Sequence, residues 1–399
     1  MLALPTSWAG VLARILLVIS AIISLERNFS RSFFIAKAEY IWLLAGAIYI
    51  GGSFFTALFA VKMELAVYDV FRQLYIFLVS FGMLIHFRDC KARMYFVYGL
   101  MPYIIFSACL IIFGYNSVMG GLASFNFDDS AYFKFQMNQE FGVNTNPLSF
   151  AMLLGFILCY SIYKNSYLNI IFVIVSMVAL MISGARATIA MLFFGLSFVF
   201  FVKDEVSRKL FSYAILLIGF LGFLYYINLD EVEKIKYMYE VSDATTGRLE
   251  LWLAAIAKFY DRPVFGWGAS SWDYDLDKYL ILISSDIGRF DILTSGAFHN
   301  AYLTVLAEKG LVGFFIMASF LFFIYRSSIV VYSERYNMNI FDRKLAAVSP
   351  LFISLLVIRG FFEHGGIIGY ANASVDFISF AGAALIVALY VPIYQLNSK

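Results

Sequence analysis

Long uninterrupted apolar runs are the feature that most constrains how this chain can fold. A helix needs about 20 apolar residues to cross ~30 Å of hydrocarbon, and runs of about that length recur along the sequence. They begin near Trp8, Tyr40, Tyr68, Met94, Pro147, Leu168, Arg186, Lys209, Leu311, Leu345 and Ser374. The pattern predicts an all-α polytopic membrane protein with about eleven transmembrane helices.

Composition excludes a soluble globular domain of ordinary type. Hydrophobic residues make up 62% of the 399 residues and charged residues only 14%, whereas soluble domains average about 45–50% and about 25%. The three cysteines, Cys90, Cys109 and Cys159, have no metal-binding spacing and predict no disulfide framework. The sequence therefore predicts neither a metal site nor a cofactor.

The distribution of lysine and arginine predicts which loops face the cytoplasm. Alternate short loops carry these residues, and two of the basic loops contain Arg88, Lys91 and Arg93, and Arg335 and Arg343. Two longer polar intervals, roughly 115–146 and 229–298, are predicted on the opposite, outer side. We therefore divide the chain into N-terminal membrane helices (1–228), a large outer loop (229–298) and C-terminal membrane helices (299–399).

The outer loop is predicted to be partly helical. Thr245-Thr246-Gly247 precedes Arg248 in the manner of a helix start. Apolar residues then follow at helical spacing, namely Leu249, Trp252, Leu253 and Ile256. We expect an amphipathic helix on the outer membrane surface, ended by a turn at Phe265-Gly266-Trp267-Gly268.

Ionisable residues inside membrane spans are costly, so they mark candidate functional sites. Arg72, Arg186 and Arg359 are predicted near the outer ends of three spans. Each also has a purely structural interpretation. Arg72 and Arg186 could lie near helix ends and extend their charged groups to the membrane interface. Arg359 could form an ion pair with Asp376.

Other charged residues have similar alternatives. Glu363 and His364 fall in a short outer loop, and Glu308 is interpreted as a helix-surface charge beside Lys309.

His299 stands at the end of the outer loop and is predicted to begin a helix that runs to Gly310. Gly310 is predicted to allow either close packing or a break before the next span. An imidazole at the membrane surface is well placed to exchange protons. Taken alone, His299 is equally consistent with a purely structural role.

Four motifs resemble one known family. His299-Asn300 followed by Gly310-Leu311-Val312-Gly313 resembles the signature of the bacterial O-antigen ligase and O-antigen polymerase superfamily. The stretch from Thr246 to Trp252 is similar to the family's outer-loop arginine helix, and the stretch from Pro263 to Gly268 to its glycine-rich turn. Ser183-Gly184-Ala185-Arg186 looks like the arginine that opens a middle span. Members often have twelve spans, so eleven and twelve both stay open here.

The resemblance implies an inverting membrane glycosyltransferase of the GT-C kind, with its active site on the periplasmic face of the bacterial inner membrane. The implied donor is a glycan on undecaprenyl diphosphate, and the implied acceptor is lipid A–core. The implied general base is His299, and the implied diphosphate ligands are Arg186 and Arg248. Supporting candidates are Arg289, Arg72, Arg359 and His364. Arginines neutralise phosphate without a metal, and no nucleic-acid partner is expected.

Three other functions stay open. A polymerase that joins glycan repeats on the carrier would share the same donor chemistry, and so would a relative that glycosylates protein. A transporter or flippase of lipid-linked glycan would predict inverted repeats and helices broken at the midplane. The sequence shows no such repeat, which favours the enzyme and, among enzymes, the ligase.

Overall fold

The computed structural model describes most of the predicted helices. It covers 37–119, 145–159, 167–183, 248–269, 298–363 and 373–397, with the single or short stretches 133, 137, 162, 185, 188, 191, 271, 274–276 and 278–279. The helices are α1 (Lys37–Ala57), α2 (Met63–His86), α3 (Cys90–Met119), α4 (Thr145–Cys159), α5 (Tyr167–Ile182), α6 (Arg248–Asp261), α7 (Ala301–Ser333), α8 (Ile340–Arg359) and α9 (Ala373–Asn397), with a 3₁₀ turn at Arg335–Asn337. No strand occurs in these ranges.

The all-α membrane architecture is confirmed for the part of the chain that the structure describes. Four helices there are long and apolar enough to cross a membrane, namely Glu39–Ala57, Met63–His86, Cys90–Val118 and Ala301–Ser333. Shorter apolar helices are Thr145–Cys159, Ile171–Ile182 and Ile378–Tyr390. The predicted spans near Trp8, Arg186 and Lys209 lie outside the described residues, so the count of eleven or twelve stays a prediction.

Helix α9 is the centre of the bundle. It packs against α1, α2, α4, α7 and α8, and every residue from 378 to 389 is buried. The run Ala381-Gly382-Ala383-Ala384 makes this possible, because small side chains let helices approach closely. A Cβ at Gly382 would lie 2.2 Å from the ring of Phe352. The outward surface carries exposed apolar side chains such as Phe113 and Phe322, as expected of helices that face lipid.

Two ion pairs lie at one end of the bundle, where α2 meets α3. The Arg93 guanidinium donates to both oxygens of Asp342 at 2.9 and 2.6 Å. Asn339 caps the start of α8 and also donates to Asp342 at 2.6 Å. Arg88 pairs with Glu39. Two loops that the sequence predicted to be basic and cytoplasmic therefore meet at this end, which we name the basic end.

Loops that alternate with the basic ones along the chain meet at the opposite end of the bundle, which we name the loop end. It contains the segments 58–62, 263–268 and 359–363. The Val61 N–H donates to the Trp267 carbonyl at 3.1 Å, and the Ala301 N–H donates to the Gly360 carbonyl at 2.7 Å. The start of α7 and the end of α8 are thereby brought together with part of the outer loop.

The buried pair at the basic end carries a prediction about stability. Arg93 is 4% exposed and Asp342 6%, so Asp342→Ala leaves a buried cation without its carboxylate. We expect the free energy of unfolding to fall by about 3–5 kcal/mol, measured by thermal unfolding of the purified protein. Lys91→Ala, at an exposed position on the same turn, is the control and should change it by less than about 0.5 kcal/mol. Equal losses in both variants would contradict the prediction.

Candidate functional site

Helix α7 begins at Ala301, two residues after the predicted start at His299. Asn300 takes the cap position, where its side-chain oxygen accepts the backbone N–H groups of Tyr302 and Leu303, both at 3.0 Å. A helix start leaves such donors unsatisfied, and asparagine is among the best residues to pair them. The predicted start was therefore wrong, and His299 lies just outside the helix.

The backbone of His299 adopts a left-handed conformation, with φ of 49°. Few residues other than glycine occupy this region, and those that do concentrate at functional sites. Its Nδ1 lies 3.3 Å from Oε2 of Glu363. The two side chains are 22% and 15% exposed, so the pair is shielded from bulk water on most sides and yet accessible.

Backbone and ring contacts hold this pair in place. Besides the bond from Ala301 to Gly360, the Tyr302 hydroxyl donates to the Val357 carbonyl at 2.6 Å. The Tyr302 ring lies 4.6 Å from the ring of Phe361. A Cβ at Gly360 would come within 2.7 Å of the Tyr302 ring, so glycine permits this close approach. The first turn of α7 is thus fixed against the end of α8 independently of His299.

Helix α7 is broken at Gly310, as the sequence allowed. Its φ and ψ are 64° and −164°, a region that is essentially restricted to glycine. The break removes helical hydrogen bonds, and the segment 263–268 replaces them. Leu311 and Val312 donate to the carbonyls of Pro263 and Val264 at 2.8 and 3.2 Å, and Trp267 and Gly268 donate to those of Ala307 and Glu308 at 3.0 and 2.7 Å. We name these four bonds the main-chain joint.

The predicted turn at Phe265-Gly266-Trp267-Gly268 is confirmed. Gly266 and Gly268 have φ of 68° and 98°. A Cβ on Gly266 would lie 2.3 Å from the Glu308 carbonyl carbon, and one on Gly268 would lie 2.1 Å from the Ala60 Cβ. Glycine is required here because the turn passes between α7 and the α1–α2 connection.

The outer-loop helix α6 begins at Arg248, as predicted. It packs against α7 through Leu251, Ala254 and Ala255, which share an apolar cluster with Phe298 and Ala307. The predicted apolar stripe is a different face, because Leu253 and Ile256 are 42% and 37% exposed. Contact of that exposed face with the membrane surface stays a prediction.

A buried lysine organises the rest of the described outer loop. Lys258 is fully buried, and its ammonium group donates to the carbonyls of Ser271 and Tyr274. Its own carbonyl accepts the indole N–H of Trp267 at 2.9 Å. The Tyr279 hydroxyl donates to Asp261, and burial together with this carboxylate raises the pKa of the Tyr279 phenol. The sequence analysis missed Lys258, because nothing local distinguishes a lysine that closes a loop from an exposed one.

The structure brings the chain around Arg248 and His299 together. Leu251, one turn after Arg248, belongs to the same apolar cluster as Phe298, which immediately precedes His299. The Arg248 side chain itself lies outside the description, and so do Arg186, Arg289 and His364. Their roles stay predictions.

Helix α5 and Ser183 precede Arg186 in the sequence, and Arg186 itself lies outside the described residues. Helix α4 ends at the basic end, where the Cys159 thiol lies 3.6 Å from the Val97 carbonyl. The Phe156 and Phe172 rings stack at 5.7 Å, so α5 starts near there and runs away from the basic end. Ser183 then follows at the end of α5, three residues before Arg186, with its hydroxyl bonded to the Leu180 carbonyl at 2.7 Å.

Arg359 is at the loop end and is only 4% exposed. Its guanidinium carbon lies 4.1 Å from the centre of the Phe150 ring, a cation–π contact. Its carbonyl accepts the Glu363 N–H at 2.9 Å, so Arg359 is one turn before the partner of His299. The side chain of Asp376 is outside the description, so the predicted ion pair with Arg359 remains a prediction.

A buried polar cluster just before the break in α7 corrects the predicted position of Glu308. Glu308 and Lys309 are 8% and 5% exposed, so the expectation that Glu308 is a helix-surface charge was wrong. The Lys309 ammonium lies 3.7 Å from Asp69 and donates to the Ser53 hydroxyl at 3.2 Å. The Lys309 ammonium therefore contacts both α1 and α2. Half-buried Arg72 follows one turn after Asp69 on α2.

Comparison with protein families gives one match. Residues 170–318 match the family model described as O-antigen ligase. The match spans α6, the glycine turn, His299 and the break at Gly310, which make up much of the geometry described above. Among curated proteins no match is found.

Proposed function

Because this chain belongs to the O-antigen ligase and polymerase superfamily through residues 170–318, we propose that it is a ligase that joins O-antigen glycan to lipid A–core. The donor is the glycan on undecaprenyl diphosphate, and the reaction takes place on the periplasmic face of the bacterial inner membrane. One observation carries the proposal: within the matched segment, an accessible histidine in a strained conformation lies against a carboxylate, at the loop end of membrane helices.

His299 acts as the general base. The acceptor hydroxyl attacks the anomeric carbon and gives its proton to the imidazole, while the bond from that carbon to the diphosphate oxygen breaks. The electron pair leaves with the carrier diphosphate, and a single displacement inverts the anomeric centre. Positioned general bases contribute about 10²–10⁴-fold to such steps. The partial exposure of His299 allows a bulky acceptor to reach it.

Arg186 and Arg248 bind the diphosphate. A guanidinium stays charged and donates in a planar fork that matches phosphate oxygens, and it neutralises the growing negative charge without a metal. Arg248 begins α6, and a helix N-terminus also favours an anion. Arg289, Arg72, Arg359 and His364 are proposed in supporting positions.

The shape of the guanidinium makes a prediction about Arg248. We expect Arg248→Lys to raise the KM for donor and lower kcat/KM by about tenfold or more, because lysine keeps the charge and loses the bidentate bonds. Transfer of a labelled lipid-linked glycan by the purified enzyme measures both constants. The control is Arg262→Lys in the same loop, where Arg262 is exposed and stacks 4.2 Å from the Trp267 ring. Equal effects in the two variants would argue against a specific diphosphate contact.

The lipopolysaccharide gel profile of a strain that lacks the gene tests the ligase proposal. Core without glycan, together with full-length polymer still on the lipid carrier, is the expected result. Core that bears a single repeat unit would show a polymerase. An unchanged profile would contradict both activities in this pathway and favour a redundant enzyme, a different glycan pathway or a transporter.

A further inference from the structure

We propose that Glu363 is a positioning residue for His299. Its carboxylate accepts a hydrogen bond from Nδ1–H and thereby leaves Nε2 as the atom that takes the proton. The inference rests on the proposed role of His299 as general base, and it adds the residue that fixes the tautomer and the orientation of the ring.

The distance between the two groups and the chemistry of a carboxylate both support this pairing. Nδ1 of His299 and Oε2 of Glu363 are 3.3 Å apart. An ionised carboxylate only accepts hydrogen bonds, so Nδ1 must carry the proton when the two groups are bonded. The tautomer of a neutral imidazole is set by the hydrogen bond that one nitrogen makes. In the neutral imidazole a proton on Nδ1 leaves the lone pair on Nε2, which is the atom that we propose takes the proton of the acceptor hydroxyl.

Each partner is held by its own backbone. Asn300 caps α7 directly after His299, so the backbone position of His299 is fixed at the start of this helix. The N–H groups of Phe362 and Glu363 both donate to the Arg359 carbonyl at 2.9 Å, which closes a turn after α8. Both residues of the pair therefore belong to segments whose backbone is held by hydrogen bonds.

A purely structural role for Glu363 is weaker. The start of α7 is already joined to α8 by the Ala301–Gly360 and Tyr302–Val357 hydrogen bonds. These bonds do not involve Glu363, so we expect the docking of the two helices to survive its removal. The Glu363 carboxylate places a negative charge against the imidazole, which also stabilises the imidazolium that forms during transfer.

The tautomer can be observed directly. The chain has only three histidines, so ¹⁵N-histidine labelling and solid-state NMR in lipid give three imidazole signals, assigned with His86→Gln and His364→Gln. In the wild type we expect His299 to carry its proton on Nδ1. In Glu363→Ala we expect the proton to move to Nε2, the form that an unconstrained imidazole prefers. Glu363→Gln keeps an oxygen acceptor and should retain the Nδ1–H form.

Kinetics provide the second readout. We expect Glu363→Ala to lower kcat about 10- to 100-fold, the range for groups that orient a histidine, with KM for the donor changed less than about twofold. Glu363→Gln should fall between this variant and the wild type, because it keeps the acceptor and loses the charge. In the background of His299→Ala, the further change Glu363→Ala should cost nothing more, since both act through one group.

Three outcomes would overturn the inference: an Nε2–H tautomer in the wild type, the same tautomer in Glu363→Ala as in the wild type, or a full additional loss in the double variant. If Glu363→Ala does not fold, the wild-type and Glu363→Gln spectra still decide the tautomer. Failure of the proposed function looks different. If His299 is not the general base, His299→Ala would stay active, while the Nδ1–H tautomer of the wild type and its dependence on Glu363 would still be observed.

Discussion

Replacing His299 with alanine is expected to lower glycan transfer by about 10²–10⁴-fold while expression and donor binding are retained. The docking of α7 on α8 has hydrogen bonds of its own, from Ala301 to Gly360 and from Tyr302 to Val357. The loss should therefore appear in kcat. Turnover of a labelled donor and binding of that donor are measured on the same preparation, which separates a loss of kcat from a loss of donor binding.

Two further variants make this result specific. His299→Asn tests whether the loss comes from backbone strain, because asparagine also tolerates a left-handed backbone. Asparagine cannot serve as a base, so this variant should be as inactive as the alanine variant. His86→Ala is the matched control, because His86 is exposed at the last residue of α2, at the basic end. Near-normal turnover in His299→Ala would remove the general-base assignment.

Gly310→Ala is expected to lower the stability of the protein strongly. A Cβ there would lie 2.3 Å from the Val264 carbonyl oxygen and 2.4 Å from its carbon, and the backbone at 64° and −164° is nearly forbidden to alanine. The main-chain joint would have to open, at a cost of about 3–5 kcal/mol. Thermal unfolding and size-exclusion profiles of the purified protein measure this.

Gly51→Ala is the control for that substitution. Gly51 is an exposed glycine of α1, and a Cβ there would meet nothing within 4 Å. In a helix interior alanine is favoured over glycine by up to about 1 kcal/mol, so this variant should be neutral or slightly stabilised. If Gly310→Ala unfolded at the same temperature as Gly51→Ala, the joint would not contribute to stability as described.

Local signals in the sequence predicted the features that depend on neighbouring residues. The start of α6 at Arg248 and the turn at Gly266 and Gly268 are confirmed, and at Gly310, where the sequence left close packing and a break open, the structure shows a break. Each depends on backbone preferences that a short stretch of sequence reports. The predicted start of α7 is two residues early, because Asn300 is a stronger helix cap than the histidine before it.

Features that join distant segments were not predictable in this way. Glu363 meets His299 because α7 and α8 are packed at the loop end, and Lys309 meets Asp69 because α7 comes close to α2 at this point. The packed face of α6 was also missed. Periodicity favours large apolar residues such as Leu253, whereas close packing against α7 uses the small Ala254 and Ala255.

The main-chain joint has a consequence for how relatives of this protein can diverge. Its four hydrogen bonds use backbone atoms alone, so the course of the outer loop relative to α7 does not depend on which side chains the turn carries. Val264 is 50% exposed within the joint and is free to change in shape or polarity. Side chains on the surface of this loop can therefore change while the spacing between Arg248, at the start of α6, and His299 is kept.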